Sequence, residues 1–406
     1  ADRTLTASIV NFVDTLAGGT NGLTITGNLD LDAAISNTTS LSVSGTSNLG
    51  ASVTTSSTQT YSGDATISND IILTTTNSNV LFGGTTNAGT AGDALVIAAG
   101  SGDVTFTDAV GGSTAMGNIT ITTGALSAAA IKVQGTIDIT NTDTSSITGI
   151  ISDGASSAII TKAGSGTLLL SANNTYTGQT NINAGIISIT DNNSLGSTAG
   201  ATIVADGASL SISNDITSAE NITINGTGVS SVGALYFASG NNTYSGNITL
   251  GAATTITSAA GNQTIGGTIN GAFTLSITSV ANLSLTGSIG SSTQPTSLTA
   301  TTTGSSNDLT LGGDIEVNGP ITFTSARDII LNTNLVKSYA SSEDIILRAK
   351  RDITTQTNDT TSLAVTSTGG NILFTSDTDD TNGGGILILG GTVIDSNGGD
   401  ITFAGG

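Results

Sequence analysis

The chain has no cysteine, histidine or tryptophan, one methionine, and two prolines, Pro295 and Pro320. Without cysteine there is neither a disulfide framework nor a thiolate metal site. Without histidine the commonest general base and the commonest ligand of zinc, iron and copper are missing. Two prolines exclude polyproline and collagen-like structure. Charged residues make up 9% and aromatics 3%, where a globular domain usually carries about 25% charge. Positive charge is scarcest: 8 basic residues face 29 acidic ones, a net charge of −21. Nucleic acids and anionic membrane surfaces are repelled by such a chain, so no nucleic-acid partner is expected. No apolar run approaches the roughly 18 residues of a membrane-spanning helix. The sequence opens on Ala1 with no signal peptide, as expected of a processed product or a segment of a larger exported protein.

What remains is 36% hydrophobic residues among many Thr, Ser, Asn and Gly. That is enough apolar content for a core. Helix formers are scarce, with glutamate only at 220, 316 and 343. Apolar residues come in short bursts, such as 23–27, 41–45, 103–107, 118–122, 166–171 and 371–375, divided by Gly, Asn, Ser or Asp. Most alternate apolar and polar with period 2, the pattern of a strand with one buried face.

Three nine-residue segments align without a gap: 59–67, 174–182 and 242–250. They contain Tyr61, Tyr176 and Tyr244, three of five tyrosines, followed two positions on by Gly63, Gly178 and Gly246. Each reads as a short strand, a glycine corner and a second strand. The tyrosine rings either cover a corner or stand out as sugar-stacking platforms. The tyrosines lie 115 and 68 residues apart, near multiples of a coil of ~20–25 residues. Asp-Ile-Ile-Leu also recurs, at 70–73, 328–331 and 344–347.

These features together specify an all-β protein, an elongated parallel β-helix (β-solenoid). Aliphatic columns fill its interior, Thr and Ser coat its faces, and Gly and Asn turn its corners. A sandwich or propeller calls for longer strands and aromatic core residues. No compositional break marks a domain boundary, so 1–406 reads as one continuous solenoid. Unpaired strand edges at the ends of such a stack invite end-to-end self-association.

Four features are candidates for chemistry. Asp377, Asp379 and Asp380 in DTDDTNGGG (377–385) offer hard oxygen ligands for Ca²⁺, although the spacing departs from an EF-hand and equally suits a solvated turn. No other cofactor is expected. The stretch 327–351 holds Arg327, Lys337, Arg348, Lys350 and Arg351, five of the eight basic residues, interleaved with Asp328, Asp344 and Asp352. It reads as local charge balancing or as a patch for an anionic glycan. Thr-x-Thr spacing at 119–122 and 254–257 is suited to ice only if repeated on one face, and in sequence the occurrences are scattered. A polysaccharide lyase or hydrolase needs a carboxylate cluster in an aromatic-lined groove, and aromatics are few.

Residues 162–196 closely resemble the autotransporter-associated β-strand repeat. The matching positions are Gly164, Gly166, Thr167 and Leu168, then Asn174 to Gly178, then Thr180, Ile182, Ala184 and Gly185, and last Leu195 and Gly196. Segments 308–331 and 100–112 are similar to the repeat region of filamentous-haemagglutinin-type adhesins. The resemblance implies a right-handed parallel β-helix exported by a Gram-negative-type bacterium and displayed extracellularly. It implies a non-enzymatic stalk or body of an adhesin or fibre, with a host or neighbouring-cell surface, glycan or matrix as partner. A self-assembling filament and a polysaccharide-processing β-helix enzyme are the alternatives.

Overall fold

The computed structural model describes residues 1–332, 335–340, 342–355, 363–379 and 383–405. They contain short strands and no α-helix, with one 3₁₀ turn at Val229–Ser231. The strand pairings are parallel, and the chain divides into two compact units, residues 1–202 and 203–406.

In the first unit the chain winds past three faces in turn. The first face stacks Leu41–Val43, Gln59–Tyr61, Val80–Phe82 and Val104–Phe106, and continues to Gly185–Ile189. The second stacks Ser47–Leu49, Ala65–Ile67 and Thr86–Ala88, then passes through Val110 to Ile131–Val133 and Ile151–Asp153. The third runs from Leu16–Ala17 through Ile71–Thr74 and Ile119–Thr123 to Thr180–Ile182. The chain is therefore a parallel β-solenoid. The second unit repeats the plan, with one face built from Asn242–Tyr244, Gln263–Ile265, Leu283–Leu285, Leu309–Leu311, Ile329–Leu331 and Ile353–Thr355.

A three-residue strand on such a face turns its first and third side chains inward and its middle one outward. The sequence obeys this at Val80–Phe82, Leu309–Leu311 and Ile329–Leu331, where the outer two are buried and the middle one is half-exposed. Coils stack at about 4.8 Å, so inward residues form columns. Tyr61, Phe82 and Phe106 make one, with ring centroids 5.0 Å apart and near-parallel planes. Each fully buried aliphatic contributes about 1.5–3 kcal/mol, and the interior is lined by Ile, Leu and Val throughout.

Corners are closed by Asn and Asp side chains that accept a backbone N–H from the next coil. Thr46 N donates to Asn28 Oδ1 (2.9 Å), Thr85 N to Asp64 Oδ1 (2.8 Å) and Asn247 N to Asn221 Oδ1 (3.0 Å). In the second unit these bonds run in series. Asp308 N donates to Asn282, Asp328 N to Asp308, Asp352 N to Asp328 and Gly385 N to Asp352. Corner amides lie between sheets and have no ladder partner, so a short amide or carboxylate side chain supplies one. This accounts for the excess of Asp over Glu. Successive corners are 18 residues apart at Asn28–Thr46 and 33 at Asp352–Gly385, so coil length follows no fixed period.

Candidate functional site

Tyr61, Tyr176 and Tyr244 are all fully buried. A ring enclosed on all sides has no face to offer a sugar. The three rings are core struts. Tyr61 Oη donates to Gln59 Oε1 (3.0 Å), and Gln59 Nε2 in turn donates to the Thr74 carbonyl (2.9 Å) on another face. Tyr176 Oη shares a hydrogen bond with Thr180 Oγ1 (2.7 Å), and Tyr244 Oη donates to the Glu220 carbonyl (2.6 Å). Burial holds the Tyr61 and Tyr244 hydroxyls well above the usual phenol range, with the Glu220 charge adding to the effect at Tyr244.

The glycine two positions later has a separate role. A Cβ at Gly63 would lie 2.6 Å from the Gly45 carbonyl oxygen, at Gly178 2.1 Å from that of Ala158, and at Gly246 2.0 Å from that of Glu220. Each marks a corner where the chain passes too close to the preceding coil for any side chain. The three copies do not occupy one corner. Tyr61 lies on the first face of the first unit, whereas Thr175 N bonds the Ile151 carbonyl and so sets Tyr176 against the second face. The repeated motif encodes a strand, a corner and a strand, and the 115-residue interval joins inequivalent positions.

Lys162 was not singled out by sequence. It has no exposed surface, and its Nζ donates to the carbonyls of Ala163 (2.7 Å), Gly164 (3.0 Å) and Ala184 (3.2 Å). Burial lowers its pKa from the usual 10.5 to about 8. The signal was present: Ile160 and Lys162 are alternate residues of one strand, so the period that buries one buries the other. Nearby, Asn174 Oδ1 accepts from Ile151 N (2.8 Å) while Nδ2 donates to the Ser194 carbonyl (2.6 Å).

These internal bonds fall inside, or reach out from, a recognisable segment. Residues 160–189 match the family model of the passenger-associated-transport-repeat. Over these residues the chain is similar to that repeat. The segment overlaps the stretch 162–196 read from sequence, and its Tyr176, Thr180 and Lys162 all point inward. The repeat on a parallel β-solenoid supports an autotransporter passenger with β-strand repeats, and it implies a secreted or surface protein. No curated protein and no solved structure matches the chain. Among the described residues no helix is long and apolar enough to cross a membrane.

The acidic and basic candidates lie in the second unit of this passenger-like chain. Asp377 is buried, has a left-handed backbone (φ 49°), and its Oδ1 has no hydrogen-bond partner among the described residues. Asp379 borders a recess that Arg327, Lys350 and Arg351 also line, and Asp380 lies outside the described residues. Among the described residues no group of three or more acidic side chains is placed to hold a metal ion.

The basic stretch splits. Arg327 grips Asp308 through Nε and Nη2, and Arg351 grips Asp328 in the same way. Arg351 Nε also lies 3.2 Å from Asp352 Oδ2. Each arginine therefore pairs with a carboxylate one coil back as well as with its sequence neighbour. These pairs hold both guanidinium groups above their usual pKa. Lys350 makes no ion pair among the described residues, and Arg348 projects from a strand.

The Thr-x-Thr segments differ from their scattered appearance in sequence. Thr255 and Thr257 align with Ser276 and Thr278, then Thr299 and Thr301, then Thr322 and Thr324, forming two outward columns on one face. Thr120 and Thr122 have no such array, since Val96, Ala98 and Asp138 flank them.

Proposed function

We propose that this chain is the non-enzymatic, adhesive body of an autotransporter passenger, displayed outside a Gram-negative-type cell. The observation carrying this reading is the placement of the passenger repeat. Its tyrosine, lysine, asparagine and glycine are occupied by packing and internal hydrogen bonds, so the repeat is scaffold. Recognition then falls to the outward side chains and corner loops, which can vary without disturbing the ladders. Continuous parallel pairing makes such a scaffold stiff. A host or neighbouring-cell surface, through its glycans or matrix, is the partner this reading assigns.

The test immobilises the full chain on beads and measures attachment to cells and to matrix-coated surfaces against uncoated beads. Attachment above background is expected. Its absence on every surface overturns the adhesive role. Incubation with neutral and acidic polysaccharides should produce no new reducing or unsaturated ends, and their appearance would favour the enzyme. Concentration-dependent fibres in electron micrographs would favour the filament.

A further inference from the structure

One concave site in the second unit follows from unequal corner lengths. Between two of its faces the chain passes from Ser297–Thr302 to Leu309–Leu311, from Ile321–Ser325 to Ile329–Leu331, from Ile345–Ala349 to Ile353–Thr355, and from Ile372–Thr375 to Ile386–Leu387. The intervening corners are 303–308, 326–328, 350–352 and, among the described residues, 376–379 with 383–385. Two tight corners thus sit between two long ones. The tight pair forms a floor of Ala326, Arg327, Lys350 and Arg351, with Ser305 and Ser306 on one rim and Asp379 on the other. The recess holds about 520 Å³, within the roughly 300–1,000 Å³ of small-ligand sites.

Its chemistry is specific. Three of the chain's 8 basic residues meet here. The guanidinium groups of Arg327 and Arg351 are fixed by Asp308 and Asp328, each through Nε and Nη2, which leaves Nη1 of each uncommitted by those pairs. A fixed donor loses little entropy on binding. Their charges are largely answered by the paired carboxylates. Lys350 is the cation of the floor without an ion-pair partner among the described residues. Ser305 and Ser306 are exposed, and their hydroxyls bond to no other described residue. One unanswered ammonium, two hydroxyls, two held guanidinium groups and one rim carboxylate suit a small ligand carrying one negative charge and several hydroxyls. A dense polyanion fits worse, because the chain as a whole carries −21 and repels it at long range.

We propose that this recess binds one carboxylated sugar of a surface or matrix glycan. The sugar carboxylate lies on Lys350, and its ring hydroxyls meet Ser305, Ser306, Asp379 and the arginine floor. The assignment rests on the adhesive reading above and names its ligand class.

The full 406-residue chain is titrated by saturation-transfer NMR with glucuronate-terminated, sialyl-terminated and neutral oligosaccharides, and with heparin. At least one carboxylated oligosaccharide should bind, at least tenfold more tightly than the neutral ones and than heparin, with binding weakening as salt rises. Which of the two binds tells the uronate from the sialyl source. Lys350→Ser should cost about tenfold and the double change Ser305→Ala, Ser306→Ala severalfold, while Lys132→Ser in the other unit should change nothing. Far-ultraviolet dichroism confirms that each variant is folded. Equal binding of neutral and carboxylated sugars, no binding by the folded chain, or an unaffected Lys350→Ser variant overturns the assignment. If the beads still attach to cells in any of those cases, the recess is excluded and the adhesive reading stands. If the unmodified chain does not attach at all, the adhesive reading itself fails.

Discussion

Arg351 reaches back one coil to Asp328, with Nε 2.8 Å from Oδ1, and the amide N–H of Asp352 donates to that same oxygen (3.1 Å). One carboxylate thus serves both as ion-pair partner and as corner cap. The pairing depends on coil length, because residues 23 or 24 apart become neighbours only when the intervening chain completes a turn.

Removing the cap should cost more than removing the charge. Asp328→Ala leaves the Asp352 amide without an acceptor and Arg351 with Asp352 alone, a loss of about 1–3 kcal/mol. Asp328→Asn keeps an oxygen for the amide and loses only the charge that faces the half-exposed guanidinium groups of Arg351 and Arg327, worth up to about 1 kcal/mol. Hydrogen exchange at the Asp352 amide is the local readout. It should accelerate strongly in Asp328→Ala and weakly in Asp328→Asn.

Alkaline pH should first stabilise and then destabilise the first unit. Folded Lys162 titrates near 8 instead of 10.5, so over that interval the unfolded chain binds more protons and stability rises with pH. The effect is complete once the unfolded lysine has also lost its proton. Tyr61 acts oppositely. Its phenol is held up by burial, so above about pH 10 only the unfolded chain ionises and stability falls. Lys162→Met should abolish the rise and retain the fall, as measured by denaturant midpoints at pH 7, 9.5 and 11. An unchanged midpoint between pH 7 and 9.5 in the unmodified chain would refute the buried-lysine account.

Within the passenger repeat, Tyr176→Phe and Tyr176→Ala separate two contributions. Phenylalanine keeps the ring and deprives Thr180 of its partner, for about 1–2 kcal/mol. Alanine also empties the core, for about 3–5 kcal/mol. Thermal unfolding should rank them in that order. Equal effects would mean that the ring is not packed as a strut.

Gly178→Ala should be at least as damaging as Tyr176→Ala, although it adds only a methyl group. The new Cβ would fall 2.1 Å from the Ala158 carbonyl oxygen, and relief requires moving one coil against the next. Gly246→Ala faces the same obstacle at 2.0 Å from the Glu220 carbonyl. Gly19→Ala offers a contrast: no atom lies within 4 Å of its added Cβ, leaving only the strain of a left-handed backbone (φ 65°). Far-ultraviolet dichroism and yield of folded protein should show the first two variants impaired more than the third.

The fold was legible because its causes are local. Alternation over three residues sets which side chains enter the core, poor helix formers leave strands as the regular element, and Gly, Asn and Asp mark corners whatever lies across them. The passenger repeat was legible too, as a run of matched residues from Gly164 to Gly196. The burial of Lys162 follows from the same alternation, but a cation at an inward position contradicts composition rules and passes unnoticed until its three carbonyl partners are seen.

The remainder was decided by how coils align. Whether Tyr61 points in or out turns on strand phase, and a shift of one residue reverses it. Thr255 and Thr322 share a column, and Arg351 meets Asp328, only because coils of unequal length bring distant residues level. The recess over Lys350 exists because two tight corners lie between two long ones. Sequence by itself determined strand, corner and interior, since those preferences act within a few bonds. Tertiary structure alone decided the partners, because contact across a coil boundary depends on the summed length of everything between.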